Sequence, residues 1–230
     1  MSASEVVIVF AVFPNVKQLD FTGPHEVFSY LPGARVIVAS AAGGTIEATG
    51  GLAGLPRLAD IPACDVLCVP GGRGSTDVAI HDPVFLAEVR RLAASARFVT
   101  SVCTGALVLG AAGLLRGKRA ATHWAWRDLL APFGAIADPA RVVRDGNVIT
   151  GGGVTAGIDF ALAVVAELAG AEAAQAIQLQ IEYAPAPPFD GGTPETASPA
   201  VLARVRERIA AFATPRRQAI QAAAARLAAV

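Results

Sequence analysis

The chain has 230 residues, 53% of them hydrophobic and 17% charged. That length and hydropathy suit one large α/β domain with a buried core and exclude a disordered chain. Nineteen basic and nineteen acidic residues cancel, which removes the electrostatic case for nucleic acid as a partner.

The N-terminus, Met1 to Glu5, lacks a basic segment, and the apolar run Val6 to Phe13 is too short to cross a membrane. The expectation is a cytoplasmic protein without membrane contact. Val6 to Phe13 reads as a first strand, near-continuously apolar as in a parallel sheet covered on both faces. A loop, Asn15 to Thr22, leads to a helix from Pro24 to about Tyr30. Arg35 to Ala39 is a second strand. Gly43-Gly44 and Gly50-Gly51 bracket a hairpin or edge excursion. Val66 to Val69 is a further strand, and Asp82-Pro83 opens a helix to about Ala94. Arg97 to Ser101 is a strand that turns at Cys103 into a helix from Ala106 to Ala112, closed by Gly113.

Arg119 to Thr122 is short and strand-like, with a helix from Trp124 to Leu130. Arg141–Arg144 and Asn147–Thr150 flank Asp145-Gly146, a hairpin signal. Helices follow over Thr155–Leu168 and Ala171–Glu182. Ala184 to Pro199 holds five prolines and reads as an extended arm. Ala200 to Val230 is helical in period, with Pro215 dividing it into two helices; its six arginines are expected on a solvated face. Residues 1–183 form one α/β domain in this reading. Residues 184–230 pack on it or on a partner copy.

Strands alternating with helices imply a mostly parallel sheet with helices on both faces, and ligands bind beyond the carboxyl ends of such strands. Asp20, Gly71-Gly72, Cys103 and His123 all fall there. Cys103 sits at a strand-to-helix turn, where helix N–H groups and the dipole favour a thiolate nucleophile. Its alternative is an inert buried hydrophobe. Cys64 and Cys68 read as structural, since four strand residues hold them roughly 13 Å apart, too far for a bridge.

Asp20 lies between Leu19 and Phe21 with no adjacent base. Burial near a thiolate raises its pKa, so that it serves as general acid and base. The alternative is a cap for the helix at Pro24. The Gly71 and Gly72 N–H groups, with Thr104, are candidates for an anion hole; the alternative is a tight turn. His123 is a candidate partner in chemistry. His25 is as well placed to orient the Asp20 loop, and His81 reads as a surface residue. The pattern Ser101-x-Cys103-x-Gly105 matches the form of a nucleophile elbow, but His123 follows too closely for the α/β-hydrolase order. No G-x-x-x-x-G-K phosphate loop is present.

Together these residues resemble the DJ-1/PfpI superfamily, and within it the isocyanide hydratase branch. The resemblance is carried by Gln18-Leu19-Asp20-Phe21-Thr22-Gly23-Pro24-His25, Val69-Pro70-Gly71-Gly72 and Ser101-Val102-Cys103-Thr104-Gly105. Thr122-His123-Trp124, Ala156-Gly157-Ile158-Asp159 and Glu182-Tyr183 extend it. Aspartate at position 20 and threonine after the cysteine match that branch, whereas PfpI-type proteases have histidine after the cysteine. The resemblance implies a flavodoxin-like three-layer sandwich, a homodimer, and no metal or organic cofactor. It implies hydration of an isocyanide through a cysteine thioimidate, with Cys103, Asp20 and Thr104 catalytic. Gly71, Gly72, His123, Trp124 and Ile158 are then expected against the substrate. Sensor domains of AraC-type regulators share much of the pattern, so the alternative is a ligand- or redox-sensing protein without turnover. The basic terminal helices are too short for the DNA-binding module of those regulators.

Overall fold

The computed structural model describes residues 5–48 and 51–229. Met1 to Ser4, Thr49, Gly50 of the second glycine pair, and Val230 lie outside the described residues.

Ten strands occur among these residues: β1 (Val6–Ala11), β2 (Ala34–Ala39), β3 (Gly44–Ile46), β4 (Leu52–Leu55), β5 (Val66–Val69), β6 (Phe98–Val102), β7 (Arg119–Ala120), β8 (Ile136–Ala137), β9 (Val142–Asp145) and β10 (Val148–Gly151). Six form a central sheet in the order β2-β1-β5-β6-β10-β9, parallel except for β9. The five parallel strands follow the flavodoxin-like order, which reverses direction between β1 and β5 and opens a crevice there. β5 and β6 are buried throughout, which explains their unbroken apolar and small-residue character.

Helices α1 (Gln18–Ser29) and α5 (Ala156–Ala169) pack together on one face, with α6 (Ala171–Gln180) against α5. Helices α3 (Pro83–Ser95) and α4 (Gly105–Ala111) pack on β5 and on each other, on the opposite face. The result is the three-layer α/β sandwich expected. Asp82 caps α3 as its sequence requires, accepting from the Val84 and Phe85 N–H groups at 2.9 and 3.0 Å.

Four expectations need correction. Helix α1 begins at Gln18, so Pro24 lies inside it and Asp20 in its first turn. The missing Pro24 N–H leaves the Asp20 carbonyl without its helical donor, but burial of Phe21, Gly23, Pro24, Val27 and Phe28 outweighs that loss. The β9–β10 turn comes one place later than Asp145-Gly146. Asp145 pairs with Val148, Gly146 supplies φ +64°, and the Asp145 carboxylate instead accepts from the Arg119 N–H at 2.9 Å. β7 belongs to a separate two-stranded sheet with β8, and the segment after it, Trp124–Phe133, is a 3-10 helix.

Finally, Pro215 does not divide the C-terminal segment. One helix, α7, runs from Pro199 to Ala228. It packs on the 3-10 segment, α4 and the short helix α2 (Gly74–Asp77). Buried Ile220 and Ala223 anchor it beyond the proline, and an Arg217–Asp128 ion pair ties it to the 3-10 segment. Packing on both sides of Pro215 compensates for the one hydrogen bond the proline removes.

Candidate active site

The site lies at the carboxyl ends of β1, β5, β6 and β10. Cys103 follows β6 with φ +55°, a left-handed conformation that costs a non-glycine residue of order 1–3 kcal/mol. Two bonds hold it there. Its N–H donates to the Gly151 carbonyl at 3.0 Å, and its carbonyl accepts from the Thr122 hydroxyl at 2.7 Å. The thiol is thus fixed at the turn into α4 by the neighbouring strand β10 and by the Thr122 loop.

Asp20 is fully buried. Its Oδ2 accepts from the Gly71 N–H at 3.0 Å, across the crevice between β1 and β5. Its Oδ1 is buried without a hydrogen-bond partner, and the Cys103 thiol is a side chain that acts on the carboxyl. Desolvation pushes the Asp20 carboxyl up to about 7, against the lowering effect of the Gly71 N–H, Cys103 and Lys17. Burial, and after it the Asp20 charge, push the Cys103 thiol well above its usual range, and the Thr104 N–H only partly offsets this. Burial thus opposes the pull of the helix N-terminus toward the thiolate. An acid poised near neutrality beside a reluctant thiol is an arrangement for moving one proton.

Gly71 is required by close approach. A Cβ there would stand 2.6 Å from the Thr104 nitrogen and 2.7 Å from Asp20 Oδ2. The expected anion hole from Gly71 and Gly72 does not form. The Gly71 N–H is spent on Asp20, and the Gly72 N–H donates to Thr104 Oγ1 at 3.0 Å. That hydroxyl also accepts from Ser75 Oγ at 2.9 Å and donates to the Gly72 carbonyl at 3.1 Å. Thr104 thus locks the β5 loop to the β6 turn. Thr104→Val leaves the Gly72 N–H without its acceptor, at a cost of about 1–3 kcal/mol. The expected outcome is a melting temperature lower by about 2–10 °C and turnover lower by about tenfold for each 1.4 kcal/mol of lost organisation. Circular-dichroism melts and steady-state rates check it, with Thr104→Ser retaining both; an unchanged melt in the valine variant would remove the lock.

A cavity of about 300 Å³ opens over Cys103 and Thr104. His123, Trp126, Phe212 and Arg216 contribute to its walls, with Lys17 and Arg73. His123 Nδ1 accepts from the Ala125 N–H at 3.3 Å, which leaves the proton on Nε2. Burial, and next the charges of Arg216, Arg127 and Lys17, lower its pKa to about 4. His123 is therefore a neutral hydrogen-bond donor at neutral pH, not a base. His25, on α1 away from these walls, bonds Ser29.

Three expected pocket residues lie elsewhere. Gly71 is buried away from the wall with its N–H on Asp20, and Gly72 alone of the pair lines the cavity. Trp124 stacks beside His123 and lines the neighbouring cavity with Gly192, Thr193 and Pro194. Trp126, two residues further along the 3-10 helix, lines the cavity instead. Ile158 packs on α1, its Cγ1 3.2 Å from where a Gly23 Cβ would stand. Arg216 also corrects the reading of the C-terminal arginines: it is half-buried in the cavity wall, 4.4 Å from the Trp126 ring centroid. No local pattern marks it, since its fixed partner, Thr76, is 140 residues away.

Comparison with known proteins places this geometry. The chain is 52% identical over 222 residues to an isonitrile hydratase of Pseudomonas putida, covering 96% of this chain and 97% of that protein. It is 30% identical to the HTH-type transcriptional regulator GlxA of Rhizobium meliloti, covering 79% of this chain and 59% of the regulator. A THiJ/PfpI family protein from Pseudomonas syringae superposes with a TM-score of 0.89 at 41% identity, over 96% of this chain and 91% of that one. Residues 6–167 match the DJ-1/PfpI family. With its strand order, its cysteine on a strained turn and its match over most of the domain, the chain belongs to the DJ-1/PfpI family.

Proposed function

We propose that this chain is an isocyanide hydratase, a lyase that adds water to R–N≡C to give R–NH–CHO. The observation that carries the reading is the buried Asp20–Cys103 pair within a chain half identical to the Pseudomonas putida hydratase along nearly its whole length. In the proposed sequence Asp20 takes the thiol proton as sulfur attacks the terminal carbon. The electron pair left on that carbon then takes the proton, and a thioimidate, R–N=CH–S–Cys103, results. Water adds to the thioimidate carbon, giving one proton to the Asp20 carboxylate, which passes it to the nitrogen. The remaining hydroxyl then gives its proton to Asp20 as the C=O forms and the C–S bond breaks, and Asp20 returns that proton to the sulfur. One water is consumed and the thiol is restored.

Thr104 holds the turn, and the neutral His123 Nε2–H is a donor facing the same cavity. Residues 184–230 work with 1–183 in this proposal, because α7 supplies Phe212 and Arg216 to the wall. A homodimer and a cytoplasmic location belong to the same reading. Leu179 and Phe189, each 81% exposed, are apolar surfaces that a second copy would cover, and no helix among the described residues is long and apolar enough to cross a membrane.

The test is a panel of alkyl and aryl isocyanides scored by formamide formation. Many turnovers per Cys103 are expected. A single stoichiometric adduct with no formamide would favour the sensing alternative, which draws on the likeness to GlxA.

A further inference from the structure

The cavity over Cys103 carries more positive charge than hydration of a neutral molecule needs. Lys17, Arg73 and Arg216 line it, and no aspartate or glutamate does. Arg73 is answered by Asp77 at 2.9 Å. Arg216 has no such partner: Asp77 lies close enough to favour its charge, but that carboxylate is paired with Arg73, and burial outweighs its effect on Arg216. Among the described residues it makes no ion pair; its Nε donates to the Thr76 hydroxyl at 3.0 Å, and its guanidinium lies over the Trp126 ring. His123 is held neutral and adds no compensating charge.

A half-buried guanidinium is costly to desolvate unless an anion meets it. A ring face and one neutral hydroxyl orient Arg216 without neutralising it, and its terminal nitrogens form a fork suited to a carboxylate. Trp126, Phe212 and Val154 line the same cavity and suit a short apolar linker. Reactive sulfur and cationic fork are thus two fixed points in one cavity of about 300 Å³. A small substrate can touch both.

We propose that the substrate is an isocyanide whose carbon chain ends in a carboxylate, and that Arg216, delivered by α7, is the residue that selects it. This rests on the hydratase reading. The isocyano carbon meets Cys103 while the carboxylate pairs with Arg216. The product is then an N-formyl amino acid, and the reaction supplying the substrate must place an isocyano group on an amino-acid-like carboxylate.

The test compares isocyanoacetate, 3-isocyanopropanoate and 4-isocyanobutanoate with their methyl esters, alongside cyclohexyl isocyanide, following formamide by NMR. At least one carboxylate is expected to exceed its ester in kcat/KM by about tenfold or more, mainly through KM, as a charge-assisted bidentate contact gives. In Arg216→Met the carboxylate-to-ester ratio falls by about tenfold or more. In Arg216→Lys, which keeps the charge without the fork, it falls less. If the methionine variant does not fold, the lysine variant decides: an unchanged ratio there counts against the proposal. Esters hydrated as well as every carboxylate by the wild type would overturn it while leaving the hydratase reading standing. An equal loss on both substrate types in Arg216→Met would also overturn it, because Arg216 would then act on the thiol. Hydration of none of the compounds, cyclohexyl isocyanide included, would sink the hydratase reading, and the proposal with it.

Discussion

Cys103→Ala and Cys103→Ser both lose isocyanide turnover by roughly 10⁴-fold or more while keeping the fold. The alanine variant has no nucleophile. The serine variant keeps the shape, but its hydroxyl is a far weaker acid than a thiol, and the pocket that already pushes the thiol up offers no stronger base than Asp20. The site is small and buried, so a free water cannot take the place of sulfur at the same carbon without its own activation. Intact-mass spectrometry on rapidly quenched wild type should show an adduct with the mass of the isocyanide, located at Cys103 by peptide mapping. Retention of turnover in either variant would mean that sulfur is not the attacking atom.

At Asp20 the expected change has two opposite signs. Asp20→Asn lowers kcat by about 10²–10⁴-fold, since an amide cannot take the thiol proton and return it. The same variant is more stable than wild type at pH 8. The folded-state pKa, about 7, lies above the ordinary 3.8, so the folded protein binds the proton more tightly than the unfolded chain. The stability this brings is complete below 3.8 and is lost as pH rises through about 7. Above that, the buried carboxylate costs the wild type on the order of 4 kcal/mol. Asparagine avoids that cost, and its amide oxygen can still accept from the Gly71 N–H. Thermal melts at pH 4 and pH 8 check this: the variant should lead at pH 8 and lose its lead at pH 4. Wild-type kcat/KM should fall as pH drops below about 7, where Asp20 can no longer act as base. A melt difference independent of pH would mean that Asp20 titrates at its ordinary value.

The sheet was legible because its strands are short, β-branched and bounded by Gly, Pro and Asp, each with a local reason to stop. Cys103 stood out for the same kind of reason, a β-branched run giving way at once to a helix. What escaped was decided across the fold. Pro24 and Pro215 both read as boundaries, yet packing carries a helix through each. Trp126 lines the cavity in place of Trp124, a choice set by how the 3-10 segment packs on α7 and α4. The glycine N–H groups looked free and are not, since Asp20 and Thr104 approach from residues 51 and 32 positions away. The burial that opposes a thiolate at Cys103 is likewise revealed by no local pattern of residues.

The wall that α7 contributes has a consequence for biosynthesis. The central sheet and the strained turn are complete in sequence at Gly151, but Phe212 and Arg216 are added later. A ribosome working at about 5–20 residues per second needs roughly 3 to 13 s to cover that interval. Once α5 has covered its face of the sheet within that interval, the nascent domain can hold Cys103 in place with one side of its cavity open to the medium. Its thiol meets glutathione or peroxide without the shelter that the finished enzyme provides. Release of the last helix from the ribosome is therefore the step that converts an accessible cysteine into a guarded one.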